Sequence, residues 1–391
     1  MALADRWLLP EGVKDILPPE ASQIEAMRRR LLDLFDSWGY DLVMPPLMEH
    51  LDALLTGVGG ELDLNTYKLT DQLSGHTLGI RADITPQVAR IDAHRMRNEG
   101  ASRLCYCSSV LHARSTQPLA SRNPLQIGAE LFGHAGLDSD VEVIALMVET
   151  LQTAGADSEL SLDLGHVGIF RGLMEDAGLT DAQETEYQSM LQRKALPELE
   201  RFLNNLDVDA RILDRLAELP RLNGGVDVLA RAKNVFADAQ PAVLEGIAYL
   251  EELANRVAKR FPDLDLYFDL SELRGYNYHT GIVFAAYTPA YGQALAKGGR
   301  YDDVGRDFGR ARPATGFSAD LKTLVDLAST QRDKASVVVA PAGEDVALLY
   351  KINELRAQGV RVIQVLSGDD QAVDSSAELV LENGEWTVKG L

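Results

Sequence analysis

Apolar residues at Ile24, Met27, Leu31, Leu34, Phe35 and Trp38 recur in three- and four-residue steps. The stretch after Pro18-Pro19 therefore predicts an amphipathic helix, which Gly39 stops. YDLVMPPLMEH follows, where Pro45-Pro46 bars helix and suits an edge strand or a subunit contact. Residues 66–82 and 103–111 alternate weakly, as sheet does. Ser139 with Glu142 reads as a capping box opening a helix that runs to about Gly155. ELSLDLG at 159–165 alternates cleanly as a strand. From about 170 to 261 the pattern turns to helix formers with long polar faces (181–193, 226–238, 241–260). Sheet patterning resumes at LDLYFDL (264–270), 279–287 and 294–301, so the helical stretch is an insertion. Gly316 to Ser329 passes from strand into helix. The tail 336–391 predicts strand, helix (345–357), strand and a hairpin at Asn383-Gly384. The fold class is α+β, with domains at 1–329 and 330–391, the second a small α/β unit.

Composition narrows the setting. The chain has 391 residues, 46% hydrophobic and 25% charged, as a globular protein does. Its net charge of -21 repels nucleic acid unless basic residues gather somewhere. Cys105 and Cys107 sit one residue apart on one strand face and predict neither a disulfide nor a zinc site. No cofactor and no metal are expected. No apolar run approaches a membrane span and MALADRWLLP lacks a signal layout, so the expected location is cytoplasmic.

Chemistry concentrates in ELRGYNYHTGIVFAAYTPAYGQALAKGGRYDD (272–303). Arg274-Gly275 and Gly298-Gly299 carry a guanidinium, the rings of Tyr276, Tyr278 and Tyr301, and His279 toward one expected pocket. Residues 81–122 hold seven arginines against three acids. In so acidic a chain that local excess suggests an anion pocket, with Arg81, Arg114 and Arg122 as candidates and Arg95 and Arg97 on solvated helix faces. The last two candidates flank STQPLASRNP, which reads as a mobile loop. In PLQIGAELFG, alternation places Gln126, Gly128 and Glu130 on one strand face. That face is either solvated or able to read an ammonium group and an imidazole N–H.

In order, G-x-x-D-x-L-P at the start, RADIT (81–85), QIGAE (126–130), RGYNYHTG (274–281) and AKGGRYDD (296–303) resemble class II histidyl-tRNA synthetase over about residues 8–325. The resemblance implies an antiparallel sheet flanked by helices, a helical insertion, and a dimer-forming segment at 39–49. It implies that Asp83 and Thr85 meet an α-ammonium, Gln126 and Arg274 the amino-acid end, and Glu130 the imidazole, with Tyr278 and Tyr301 lining the pocket. Two departures fall there: His279 replaces a second tyrosine, and Asp83 is shorter than the usual glutamate.

Larger departures fall on the ATP half. Where the synthetases carry arginine and, two residues on, glutamate, this chain has His112 and Arg114. Where their third motif ends in arginine, it has Lys322 and Thr323. Losing one phosphate-stabilising group costs roughly 2.7–4 kcal/mol of transition-state stabilisation. The tail, 331–391, has six Lys/Arg against ten Asp/Glu, a net -4 that disfavours tRNA.

A synthetase body with a kept histidine pocket and a dismantled ATP site resembles the regulatory subunits of ATP phosphoribosyltransferase. That resemblance implies a non-catalytic chain, dimeric within a hetero-octamer. It would enable a short-form catalytic subunit and transmit feedback inhibition by histidine. The alternatives are an active histidyl-tRNA synthetase, a free-standing histidine-activating ligase, or a tRNA-sensing module.

Overall fold

The computed structural model describes residues 7–56, 60–114, 121–156, 159–273, 275–276, 278–306, 308–328, 337–368 and 375–390. It divides into two units, Met1–Ala328 and Ser329–Leu391.

The first unit is built on strands β1 (Asp41–Leu42), β2 (Met48–His50), β3 (Tyr67–Thr70), β4 (Thr77–Ile80), β5 (Ser102–Ser109), β6 (Leu125–Phe132), β7 (Ser161–His166), β8 (Asn223–Gly224), β9 (Asp265–Asp269), β10 (Ile282–Thr288), β11 (Tyr291–Arg300) and β12 (Ala314–Asp320). Nine of them form one sheet in the order β1-β5-β6-β12-β11-β10-β7-β9-β8, and β2-β4-β3 form a small sheet beside it. The run from β5 to β7 is antiparallel throughout. The sheet is nonetheless mixed, because β1 joins β5 and β9 joins β7 in parallel.

Helix α1 (Glu20–Ser37) buries Ile24, Met27, Leu31 and Phe35, the stripe its sequence repeats. The segments 51–54, 60–65 and 85–90 are short helices α2, α3 and α4. Helix α5 (Leu137–Thr153) begins two residues before Ser139, so the expected capping box does not form. The Ser139 hydroxyl instead donates to the carbonyls of His134 and Gly136, and Glu142 receives both Arg103 nitrogens and the Tyr40 hydroxyl. Between β7 and β9 lies the insertion: α6 (Val167–Ala177), α7 (Asp181–Gln192), α8 (Leu196–Leu203), α9 (Ala210–Glu218), α10 (Asp227–Val235) and α11 (Pro241–Arg260). The core runs continuously from the sheet and α1 through α5 to Phe170, Tyr187, Leu216 and Ile247 of the insertion. Helix α12 (Leu321–Leu327) follows β12, with Asp320 accepting from the Lys322 N–H at its start.

The second unit is a sheet ordered β14 (Arg361–Gln364), β13 (Val337–Ala340), β15 (Ala377–Glu382), β16 (Glu385–Gly390). Helix α13 (Val346–Ala357) packs Leu348, Ile352 and Leu355 against it. Asn383 and Gly384 both have positive φ, 52° and 85°, as a two-residue hairpin turn requires.

Candidate functional site

Strand register sets the floor of the site. Glu130, Gly316, Gly299, Val283 and Gly165 are cross-strand neighbours in one row over β6, β12, β11, β10 and β7. Two residues along each strand, on the same face, runs Gly128, Ser318, Lys297, Ala285 and Asp163. The first row is mostly glycine, which makes a trough. A Cβ on Gly316 would fall 1.5 Å from Glu130 Oε2, and one on Gly299 would fall 2.7 Å from His279 Nδ1. Side chains from neighbouring elements therefore lie across these bare positions. Above the floor is a cavity of about 550 Å³, lined also by Asp83, Thr85, His112, Tyr276, Tyr278 and Tyr301.

Glu130 is 1% exposed and ringed by hydroxyls. Thr85 and Tyr106 each donate to its Oε1 at 3.0 Å, and Tyr301 donates to Oε2. Burial pushes its carboxyl up to about 8, although the three hydroxyls pull the other way. Tyr278 stacks on Tyr301 with centroids 5.0 Å apart. The Tyr278 hydroxyl is buried and has no hydrogen-bond partner among the described residues, which leaves it for a ligand. Asp83 is held by the Thr85 N–H (3.0 Å) and by Gln126 Nε2 (2.8 Å), while Gln126 Oε1 accepts from the Ile84 N–H. Gln126 thus braces Asp83 from behind, and the Thr85 hydroxyl faces Glu130.

His279 is neutral, because burial pulls its imidazole down to about 4. Its Nδ1 faces the Arg300 carbonyl at 3.3 Å. The turn carrying it is tied to the insertion. Arg171 of α6 donates to the carbonyls of His279 (2.8 Å) and Tyr276 (3.2 Å) and lies over the Tyr276 ring. The Tyr276 hydroxyl in turn donates to Glu184 of α7. Gln188 and Gln192, farther along α7, reach the cavity wall.

The arginine candidates do not assemble an anion pocket. Arg81 is 2% exposed, and its donors go to the carbonyls of Pro45, Pro46 and Ser109 and to Gln87 and Ser108. Arg122 donates to the carbonyls of His112, Ala113 and Glu11 and to the Tyr67 hydroxyl. Arg114 is exposed and off the cavity wall. A guanidinium has five donors, and here backbone carbonyls occupy them in place of an anion. His112 does line the cavity. Its Nε2 faces the Ala82 carbonyl at 3.1 Å, and burial lowers its pKa. Lys322 donates to the Asn123 carbonyl and Thr323 to Asp320. Arg274 and residues 115–120 of the expected loop STQPLASRNP lie outside the described residues.

The sequence reading missed Tyr106, Asp163, Glu272, Lys297, Ser318 and the two glutamines of α7. Only Lys297 carried a local signal, standing two residues before Gly299 on the same strand face.

The family model described as Histidyl-tRNA synthetase matches residues 12–324. That described as ATP phosphoribosyltransferase subunit HisZ C-terminal domain matches residues 335–389. The ATP phosphoribosyltransferase regulatory subunit of Alkalilimnicola ehrlichii is 56% identical over 366 residues, spanning 93% of this chain and 91% of its own. That of Thioalkalivibrio sulfidiphilus is 53% identical over 396 residues, 100% of each chain. A solved ATP phosphoribosyltransferase regulatory subunit/histidyl-tRNA synthetase from Bacillus halodurans superposes with a TM-score of 0.83 at 27% identity, covering 93% of this chain and 94% of that one.

Proposed function

The chain belongs to the family of ATP phosphoribosyltransferase regulatory subunits, and we propose that it binds histidine and conveys feedback inhibition to a short-form catalytic subunit, which it also enables. The observation that carries this reading is the Glu130 site. A buried carboxyl ringed by hydroxyls, a stacked tyrosine pair with one hydroxyl unpaired among the described residues, and the half-buried Asp83 on the same cavity wall suit an imidazole N–H at one end and an ammonium at the other.

The cationic side chains of the ATP half speak against adenylate formation. Arg122 and Lys322 are taken up by carbonyls, and Arg114 stands off the cavity. The working assembly on this reading is a cytoplasmic hetero-octamer containing dimers of this chain. Leu42, Met44, Leu47 and Met48, each 43–75% exposed on the segment assigned to the dimer, fit that role. Histidine need favour one arrangement of the complex by only roughly 1–3 kcal/mol to shift activity severalfold to a hundredfold. Of the two expected transmitters, the loop at 114–122 and the turn at 274–281, we assign the signal to the second, whose Tyr276 and His279 are tied to the insertion through Arg171 and Glu184.

The test mixes the purified chain with a short-form catalytic subunit and assays phosphoribosyl transfer with and without histidine. Transfer that depends on this chain and falls with histidine is expected. Histidine-dependent exchange of labelled pyrophosphate into ATP by the chain alone would overturn the reading in favour of an activating enzyme.

A further inference from the structure

Charge on the cavity wall poses a problem for an amino-acid ligand. Asp83 lines the cavity, burial holds the Glu130 carboxyl toward its neutral acid, and the two imidazoles, His112 and His279, are held toward the neutral form as well. A free carboxylate taken out of water beside Asp83 needs a cation to receive it. Among the described lining residues Lys297 is the one cation.

Its placement suits the task. Lys297 sits in the second floor row between Ala285 and Ser318, one row along and two strands over from Glu130. Strand spacings put the two Cα atoms roughly 12 Å apart. A ligand whose ring meets Glu130 then extends its other end over the second row, within reach of a lysine side chain. No hydrogen bond or ion pair to the Lys297 ammonium occurs among the described residues, and its charge is felt by both pocket imidazoles, which it helps to keep neutral. Ser318 offers a hydroxyl on the adjacent strand.

We propose that Lys297 is the carboxylate anchor of this site, with Ser318 beside it, so that the pocket reads a free amino acid by its charge at both ends. The inference rests on the histidine reading above. It adds a second positive group to Arg274, to which family resemblance assigns the amino-acid end.

The test is calorimetric titration of the full-length chain with L-histidine and with L-histidinol, which keeps ring and ammonium but carries hydroxymethyl in place of the carboxylate. The wild type is expected to prefer histidine by tenfold or more, as a charge-assisted contact gives roughly that factor. Lys297→Met should weaken histidine by about tenfold and leave histidinol unchanged, while Lys297→Arg should retain the preference. A Lys297→Met chain that keeps the wild-type ratio, or loses both ligands equally, overturns the proposal while histidine binding by the wild type still stands. A wild type that binds neither ligand removes the histidine reading and this inference together.

Discussion

Replacing Glu130 with glutamine removes the ionisable group and keeps its shape, so the effect on stability should depend on pH in a calculable way. The folded protein raises the Glu130 carboxyl from 4.5 to about 8, chiefly by burial, with the Asp83 charge adding to the rise. Because the folded value lies above the unfolded one, the native state holds this proton more tightly. The stability it contributes is whole below about 4.5 and is lost as the pH climbs through 8. Each unit of difference is worth roughly 1.4 kcal/mol, so between pH 5 and pH 9 the wild type should lose about 4 kcal/mol that the glutamine variant keeps. Contributions common to both proteins cancel in that difference, and the variant's cost of rearranging the hydroxyls of Thr85, Tyr106 and Tyr301, being independent of pH, leaves the trend unchanged. Urea unfolding of both proteins at pH 5, 7 and 9 measures it. The glutamine variant should gain steadily on the wild type toward alkaline pH. Stabilities that run parallel within about 1 kcal/mol across that range would refute the account of Glu130 as a buried, proton-holding carboxyl.

Gly316→Ala puts a methyl where Glu130 Oε2 lies, so histidine binding should vanish in calorimetry while the overpacking costs about 1–3 kcal/mol of stability in urea. Arg171→Met frees the carbonyls of Tyr276 and His279. Histidine affinity should fall roughly tenfold and inhibition of the complex should weaken further, measured by titration and by transfer assay.

Much of this site could be read from the chain because its determinants are local. Alternation in QIGAE places Gln126 and Glu130 on one face whatever the partners of the strand. The glycines of AKGGRYDD announce a close approach. The arginine-rich stretch misled for an equally physical reason. The donors of a guanidinium can go to loop carbonyls in place of an anion, and sequence does not say which it will meet. Arg81 meets Pro45 and Pro46, whose approach depends on how the 39–49 segment is laid down, across 36 residues of chain. Asp163, Lys297 and Ser318 share a row only through cross-strand register, and Gln188 and Gln192 only through the docking of α7. Ser139 and Glu142 show the limit of a local motif. Their spacing permits a capping box, yet the helix starts earlier, at Leu137, and the Glu142 carboxylate is taken up by Arg103 and Tyr40 from elsewhere in the chain.

The contrast between the Glu130 site and the cations expected to hold ATP has an energetic basis. Recruiting Arg122 to a phosphate would strip donors from the carbonyls of His112, Ala113 and Glu11 and from the Tyr67 hydroxyl. Each of the part-buried groups left unpaired costs up to about 1–3 kcal/mol, the exposed Glu11 carbonyl less, so the exchange gains little even where a new charged contact forms. Lys322 faces the same choice against the Asn123 carbonyl. At the other end the Tyr278 hydroxyl has no partner to give up among the described residues, so a ligand proposed to bind there would satisfy it. On the histidine reading proposed above, the site therefore gains from a polar, ring-bearing amino acid where a triphosphate would have to displace existing contacts.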